Sequence, residues 1–195
     1  MNTLSIQDLA VSMLRCEQTK GQTVYQHGVS VNQHYQELIA AKLLPDGWRI
    51  PSFVVNYKDQ IFANLHPNEI VSMYLLYHDC GKPFCREVDS EGKVHFPNHA
   101  EVSKRMFLEA GGDSVAANLI GWDMVLHTSN AEEIQNYCEN VWTVKDACTL
   151  LLAALSELHS NAKMFGGIES TSFKCKWKNL ERRGKQICKH FFKEN

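Results

Sequence analysis

At 195 residues the chain is long enough for one domain with a full hydrophobic core. Its 44% hydrophobic and 22% charged residues are those of a soluble globular protein, and no apolar run approaches the roughly 20 residues that span a bilayer. The formal charge of −2 hides an asymmetry: residues 170–195 hold eight Lys or Arg against Glu181 and Glu194, a balance of +6, so the remainder carries −8. A basic tail on an acidic body points to an anionic partner or substrate.

The start, Met1-Asn2-Thr3-Leu4-Ser5-Ile6, has no basic stretch followed by an apolar core, so it does not read as a signal peptide. Seven scattered cysteines contain no C-x-x-C pair, which argues against a zinc knuckle and for reduced thiols in a cytoplasmic protein. Ile6 to Cys16 puts Ile6, Leu9, Ala10, Met13 and Leu14 on one helical face. Val24 to Leu44 predicts a long helix that Pro45-Asp46-Gly47 ends in turn chemistry. Residues 46–66 have no clear period. Pro67-Asn68-Glu69 opens a helix that runs to His78, and residues 83–97 form a polar loop with a short hairpin, Phe84–Val88 against Lys93–Phe96. Asn98 with Glu101 reads as a capping box for a helix ending at Gly111-Gly112. The next helix begins at Asp113 or Ser114 and runs to about His127. Thr143 to Met164 is the most apolar helix, and Lys176 to Phe192 is a final basic one. These elements predict one all-α domain spanning residues 1–195, with the basic helix at about 170–195.

The most informative feature is the adjacent pair His78-Asp79, at the end of an apolar helix and before Gly81-Lys82-Pro83. Side chains of neighbouring helical residues point about 100° apart, and one ion at a helix edge can take both an imidazole and a carboxylate. Further histidines stand at helix ends: His27 early in one helix, His99 at the start of another, His127 at the end of a third. Ligands near helix ends converge when helices pack as a bundle. Cys80 reads as a buried neighbour of the pair, not a ligand. His34 reads as a structural histidine, and His66, His95 and His190 as loop or surface residues.

This combination resembles the HD-domain superfamily of metal-dependent phosphohydrolases. His27-x-x-x-Val31 matches the family's first histidine segment, His78-Asp79 its His-Asp pair, and Gly81-Lys82 the residues that often follow. Phe96 to Ser103 resembles the F-x-x-H-x-x-x-[GS] segment of HD domains in tRNA nucleotidyltransferases, and His127 resembles the further histidine of members holding two metals. The resemblance covers about residues 20–165 and implies an HD-domain-like helical bundle. It implies a divalent ion, one or two of Mn, Ni, Co, Zn, Fe or Mg, on His27, His78, Asp79, His99 and His127. The family's last ligand is an Asp, and none follows Asp146. The family pattern puts Glu157 there, whereas helical phase places His159 nearer the apolar face of Leu151, Leu155, Leu158 and Ala162. Both stand as candidates.

A bound divalent ion brings the pKa of water toward about 7 and neutralises phosphoryl oxygens, which suits phosphate-ester hydrolysis. Lys82 is then a positive charge for the phosphate and, with Asp79, a candidate catalytic residue. Asp123, four residues before His127, orients that ligand or transfers a proton. The basic tail adds Lys174, Lys176, Arg182 and Arg183 as candidate substrate contacts, interleaved with aromatics as phosphate contact and base stacking require. The alternative for the tail is a helix packed on the body through Trp177, Leu180, Ile187 and Phe191. The expected partner is a phosphate ester, a nucleotide or an RNA terminal or cyclic phosphate, with no membrane. A hydrolase of deoxynucleoside triphosphates or cyclic nucleotides, or a non-catalytic nucleic-acid-binding HD module, are the other expectations.

Overall fold

The computed structural model describes residues 4–192; residues 193–195, the end of the basic segment read from the sequence, lie outside them. Helices dominate: α1 Ile6–Arg15, α2 Val24–Ala40, α3 Ser52–Asn56, α4 Lys58–Ala63, α5 Asn68–Tyr77, α6 His99–Glu109, α7 Ser114–Trp122, α8 Val125–Thr128, α9 Ala131–Asn140, α10 Val144–Ser160 and α11 Thr171–Phe191. Two antiparallel ribbons are the sheets among the described residues: β1 Glu17–Thr19 with β2 Gln22–Thr23, and β3 Glu87–Val88 with β4 Val94–His95. The protein is therefore mostly α. None of the described helices is long and apolar enough to cross a membrane.

The chain divides into two compact units, Met1–Asn32 with Asn68–Asp123, and Gln33–Pro67 with Met124–Asn195. In the first, α1 starts from a capping box in which Ser5 and Asp8 satisfy each other's backbone N–H groups. The β1–β2 ribbon, absent from the sequence reading, turns at Gly21 with φ +82°. The Val24 N–H then donates to the Cys16 carbonyl (2.9 Å), fixing where α2 begins. Helices α5 and α6 both pack on α7, and α1 packs on α6. Their fully buried faces carry Leu9, Met13, Val71, Leu75, Phe107, Ala116, Leu119 and Ile120.

In the second unit α10 packs against α8 and α11, and α11 against α3, α8 and α9. Helix α10 is buried on nearly every side from Asp146 to His159, as its apolar sequence requires. The packed face of α11 includes Phe173, Leu180 and Ile187, with Trp177 half-buried. Helix α9, which the sequence reading did not find, opens with a capping box of Asn130 and Glu133. Its mean polarity conceals the two buried anchors, Ile134 and Cys138.

Several expected boundaries need correction, among them the end of α10 at Ser160 instead of Met164 and the start of α11 at Thr171 instead of Lys176. The second helix stops at Ala40, because Lys42 and Leu43 adopt positive φ (49° and 68°) before the Pro45 turn. Asn98 does not cap α6 through its side chain; it sits in the left-handed region with φ 52°. The helix expected from residue 114 to His127 is interrupted, with α7 ending at Trp122 and α8 starting at Val125.

Candidate metal centre

The first unit gathers His27, His78, Asp79, His99 and Lys82 around one carboxylate. Two glycines make this possible. A Cβ on Gly28 would run into the Leu76 carbonyl oxygen, so only glycine lets the first turns of α2 meet the last turn of α5. A Cβ on Gly81 would run into the Ser103 N–H and the His99 carbonyl, so only glycine lets the segment after α5 lie on the first turns of α6. The Gly81 N–H donates to Ser103 Oγ (2.8 Å) and the Cys80 thiol to the Ser103 carbonyl (3.4 Å). Cys80 is buried as expected, and burial pushes its thiol up to about 12.

Asp79 Oδ2 lies 3.9 Å from His27 Nε2, 3.3 Å from His78 Nε2 and 2.6 Å from Lys82 Nζ; its Oδ1 lies 3.5 Å from His99 Nε2. His27 is fully buried and His78 and Asp79 are each 2% exposed. Ligand atoms of His27 and His78 fall within 4.8 Å of one another, close enough for one ion. His78 Nδ1 donates to the Leu75 carbonyl (2.8 Å), one of those that the end of α5 leaves without a helical partner. His99 Nδ1 donates in the same way to the Phe96 carbonyl (3.1 Å). A carbonyl only accepts, so both rings carry their proton on Nδ1 and in the neutral state turn an Nε2 lone pair toward Asp79. A backbone carbonyl holding the far nitrogen is also what fixes metal-binding histidines.

A carboxylate buried among these rings needs positive charge beside it. Lys82 supplies one such charge. Its ammonium also donates to Gln18 Oε1 on β1 (3.1 Å) and lies 5.5 Å from the Phe96 ring centre. Burial alone would raise the Asp79 carboxyl, but the neighbouring His78, Lys82 and His27 outweigh it and hold the group well below the usual carboxylate range. Imidazole nitrogen with carboxylate oxygen is a donor set that suits Zn, Fe, Mn, Ni or Co, so these residues fit a divalent ion.

The other expected site residues have different surroundings. In the first unit, Asp123 caps the end of α7 and accepts the Tyr74 hydroxyl at 2.6 Å. It is not on one continuous helix with His127. In the second unit, His127 Nε2 and Glu157 Oε2 lie 3.1 Å apart. His159 stacks on Trp48 (4.1 Å between ring centres, 15° between planes) and meets the edge of Phe173. Burial there pulls its imidazole down to about 4. Of the tail residues, Lys174 pairs with Glu169 (2.7 Å) and Lys176 lies 5.0 Å from the Phe165 ring centre. Arg182 is exposed. Arg183 is a correction: it is 8% exposed and donates to the carbonyls of Leu126 (2.8 Å) and Ser129 (2.7 and 3.0 Å), so it holds α8 and cannot reach a substrate.

Sequence reasoning missed Gly28 and Gln18 as builders of the site, and Ser103 entered only as the last residue of the F-x-x-H-x-x-x-[GS] segment. Gly28 carries a readable signal, since a helix-interior glycine costs about 1 kcal/mol relative to alanine and here directly follows a histidine. His66 is a loop residue as expected, and its ring lies 2.8 Å from Asp146 at the start of α10. No protein-family model, curated protein or solved structure matches the chain.

Proposed function

We propose that the chain is an HD-type, metal-dependent phosphohydrolase acting on nucleotides or on RNA terminal or cyclic phosphates. The observation that carries this reading is the set of three imidazoles facing the buried Asp79 carboxylate, two of them with Nδ1 committed to a backbone carbonyl. His27, His78, Asp79 and His99 would hold the ion. The HD resemblance adds His127 and Glu157 as further ligands. Between the two candidates for the last ligand we favour Glu157, because His159 is packed face-on against Trp48.

When bound, a divalent ion supplies a water acidic enough to act at neutral pH and offsets phosphoryl charge. The chain's own groups do the rest. The Nδ1–H donors of His78 and His99 keep their rings from turning. Lys82, 11% exposed at its side chain, balances Asp79 and offers an ammonium to a phosphoryl oxygen. Asp123, steadied by the Tyr74 hydroxyl, accepts or returns a proton.

The test begins with chelator-stripped protein reloaded with Mn, Ni, Co or Zn, followed by elemental analysis and assay on phosphomonoesters, cyclic phosphates and deoxynucleoside triphosphates. A bound ion and hydrolysis of one class are expected. Asp79→Asn and His78→Gln, which keep side-chain volume, should each lower metal content and reduce turnover by about 100-fold or more. Full activity in both variants would refute the assignment. Binding of the ion should also raise the melting temperature, by about 2.7 kcal/mol of stability at a concentration 100 times its Kd.

A further inference from the structure

The charged face of α11 is a different set from the one the sequence suggested. Lys178, Arg182, Lys185 and Lys189 follow one another at intervals of four, three and four residues, which places them in a single stripe along the helix. All four are exposed, and with Glu181 and Gln186 they form one face of the helix. The stripe covers twelve residues, eleven steps of the helix or about 16 Å. Glu181 is its one carboxylate, and it is already engaged: Oε2 and Oε1 accept from the Ser52 N–H and hydroxyl (2.8 and 2.5 Å), and Lys185 Nζ lies 2.6 Å from Oε1. Lys178, Arg182 and Lys189 remain as cations with no acidic side chain matched to them among the described residues.

We propose that this stripe is a binding surface for the phosphodiester backbone of a nucleic acid. Cations one helical turn apart track a linear anion better than an isolated phosphate, which would use one or two of them. The chemistry favours nucleic acid over a lipid surface. A helix that lies in a membrane interface inserts an apolar face, but the apolar residues of α11, Phe173, Leu180, Ile187 and Cys188, are buried in its own unit. The residues beside the cations, Asn179, Glu181 and Gln186, are polar. The stripe's cations contact phosphate and not base edges, so the binding is independent of sequence and driven by counterion release.

The probe is a fluorescein-labelled, mixed-sequence 20-nucleotide single strand, titrated with the full chain in EDTA so that hydrolysis does not interfere and the metal-site proposal is tested separately. Affinity should fall steeply with salt. The triple variant Lys178→Gln, Arg182→Gln, Lys189→Gln leaves the Lys185–Glu181–Ser52 network intact. It should weaken binding at least 10-fold at low salt and flatten the plot of log K against log salt by about 2, the slope expected of three single-strand phosphate contacts. An unchanged melting temperature confirms that the variant folds. The idea is overturned by a wild type that does not bind at 50 mM salt, or by a triple variant with unchanged affinity and slope. Equal, stripe-dependent binding to polyglutamate of matched charge, or to vesicles of anionic lipid, would also overturn it.

Discussion

Two buried histidine environments in this protein are built in opposite ways. In the first unit, His27, His78 and His99 sit at helix ends, with Nε2 nitrogens collected around Asp79 and Lys82. In the second, His159 lies inside the most buried helix, stacked on Trp48 and edged by Phe173. The first arrangement concentrates charge and lone pairs around one carboxylate. The second removes water and favours the neutral ring, which packs there as an aromatic body with Nε2 lying 3.4 Å from the Arg49 carbonyl. Burial alone therefore does not mark a ligand; what the ring nitrogens face does.

The sharpest way to break the first environment is to push its helices apart without touching a charged group. Gly28→Ala and Gly81→Ala each place a methyl against backbone atoms that have no rotamer to escape into. Each should cost about 3 kcal/mol or more, a fall of about 6–12 °C in melting temperature for a chain of this length, and each should lower metal content. Gly121→Ala is the control, because its Cβ would meet the flexible Lys104 side chain. It should stay within about 1 kcal/mol of wild type. Equal melting temperatures for all three variants would mean that the glycines do not set the approach.

The second environment predicts a pH effect. The folded-state pKa of His159 is about 4, below its ordinary value of 6.5, so between those values the unfolded chain binds more protons than the folded one. Its contribution to stability is present above about pH 6.5 and is lost as pH falls toward 4. The loss should be about 2 kcal/mol, allowing for its partial exposure to solvent. His159→Phe keeps the stack on Trp48 and should flatten the pH profile of denaturant midpoints across that window while leaving metal content unchanged. An unchanged pH profile in this variant would refute the assignment of the titration to His159.

The sequence made the helices and the His78-Asp79 pair legible, because apolar periodicity and helix-end histidines are local signals. The convergence of His27 and His99 on that pair depends on two backbone approaches, and a single chain shows these only as glycines beside histidines. Arg183 was misread for a related reason: a basic run looks alike whether its members face solvent or cap the carbonyls of Leu126 and Ser129. Helical phase alone separates them, with Lys178, Arg182, Lys185 and Lys189 on one face and Arg183 beside Leu180 and Ile187 on the other. Helix α9 escaped because only Ile134 and Cys138 are buried along it.

The smallest predicted effect contrasts the starts of the helices that carry His99 and His159. Helix α10 opens with a complete capping box. Thr143 Oγ1 accepts from the Asp146 N–H (3.2 Å), and Asp146 Oδ2 accepts from the Thr143 N–H and hydroxyl (2.8 and 2.6 Å). The other Asp146 oxygen lies 2.8 Å from His66 Nε2. Helix α6 opens with Asn98 in the left-handed region and no side-chain cap. Thr143→Ala should therefore cost about 1 kcal/mol. Asn98→Gly gives up no cap and relieves the left-handed backbone, so it should leave stability within about 0.5 kcal/mol of wild type or slightly above it. Denaturant unfolding of the two variants decides this. A loss at Asn98 as large as that at Thr143 would show that the asparagine side chain fixes the start of α6, and with it the position of His99.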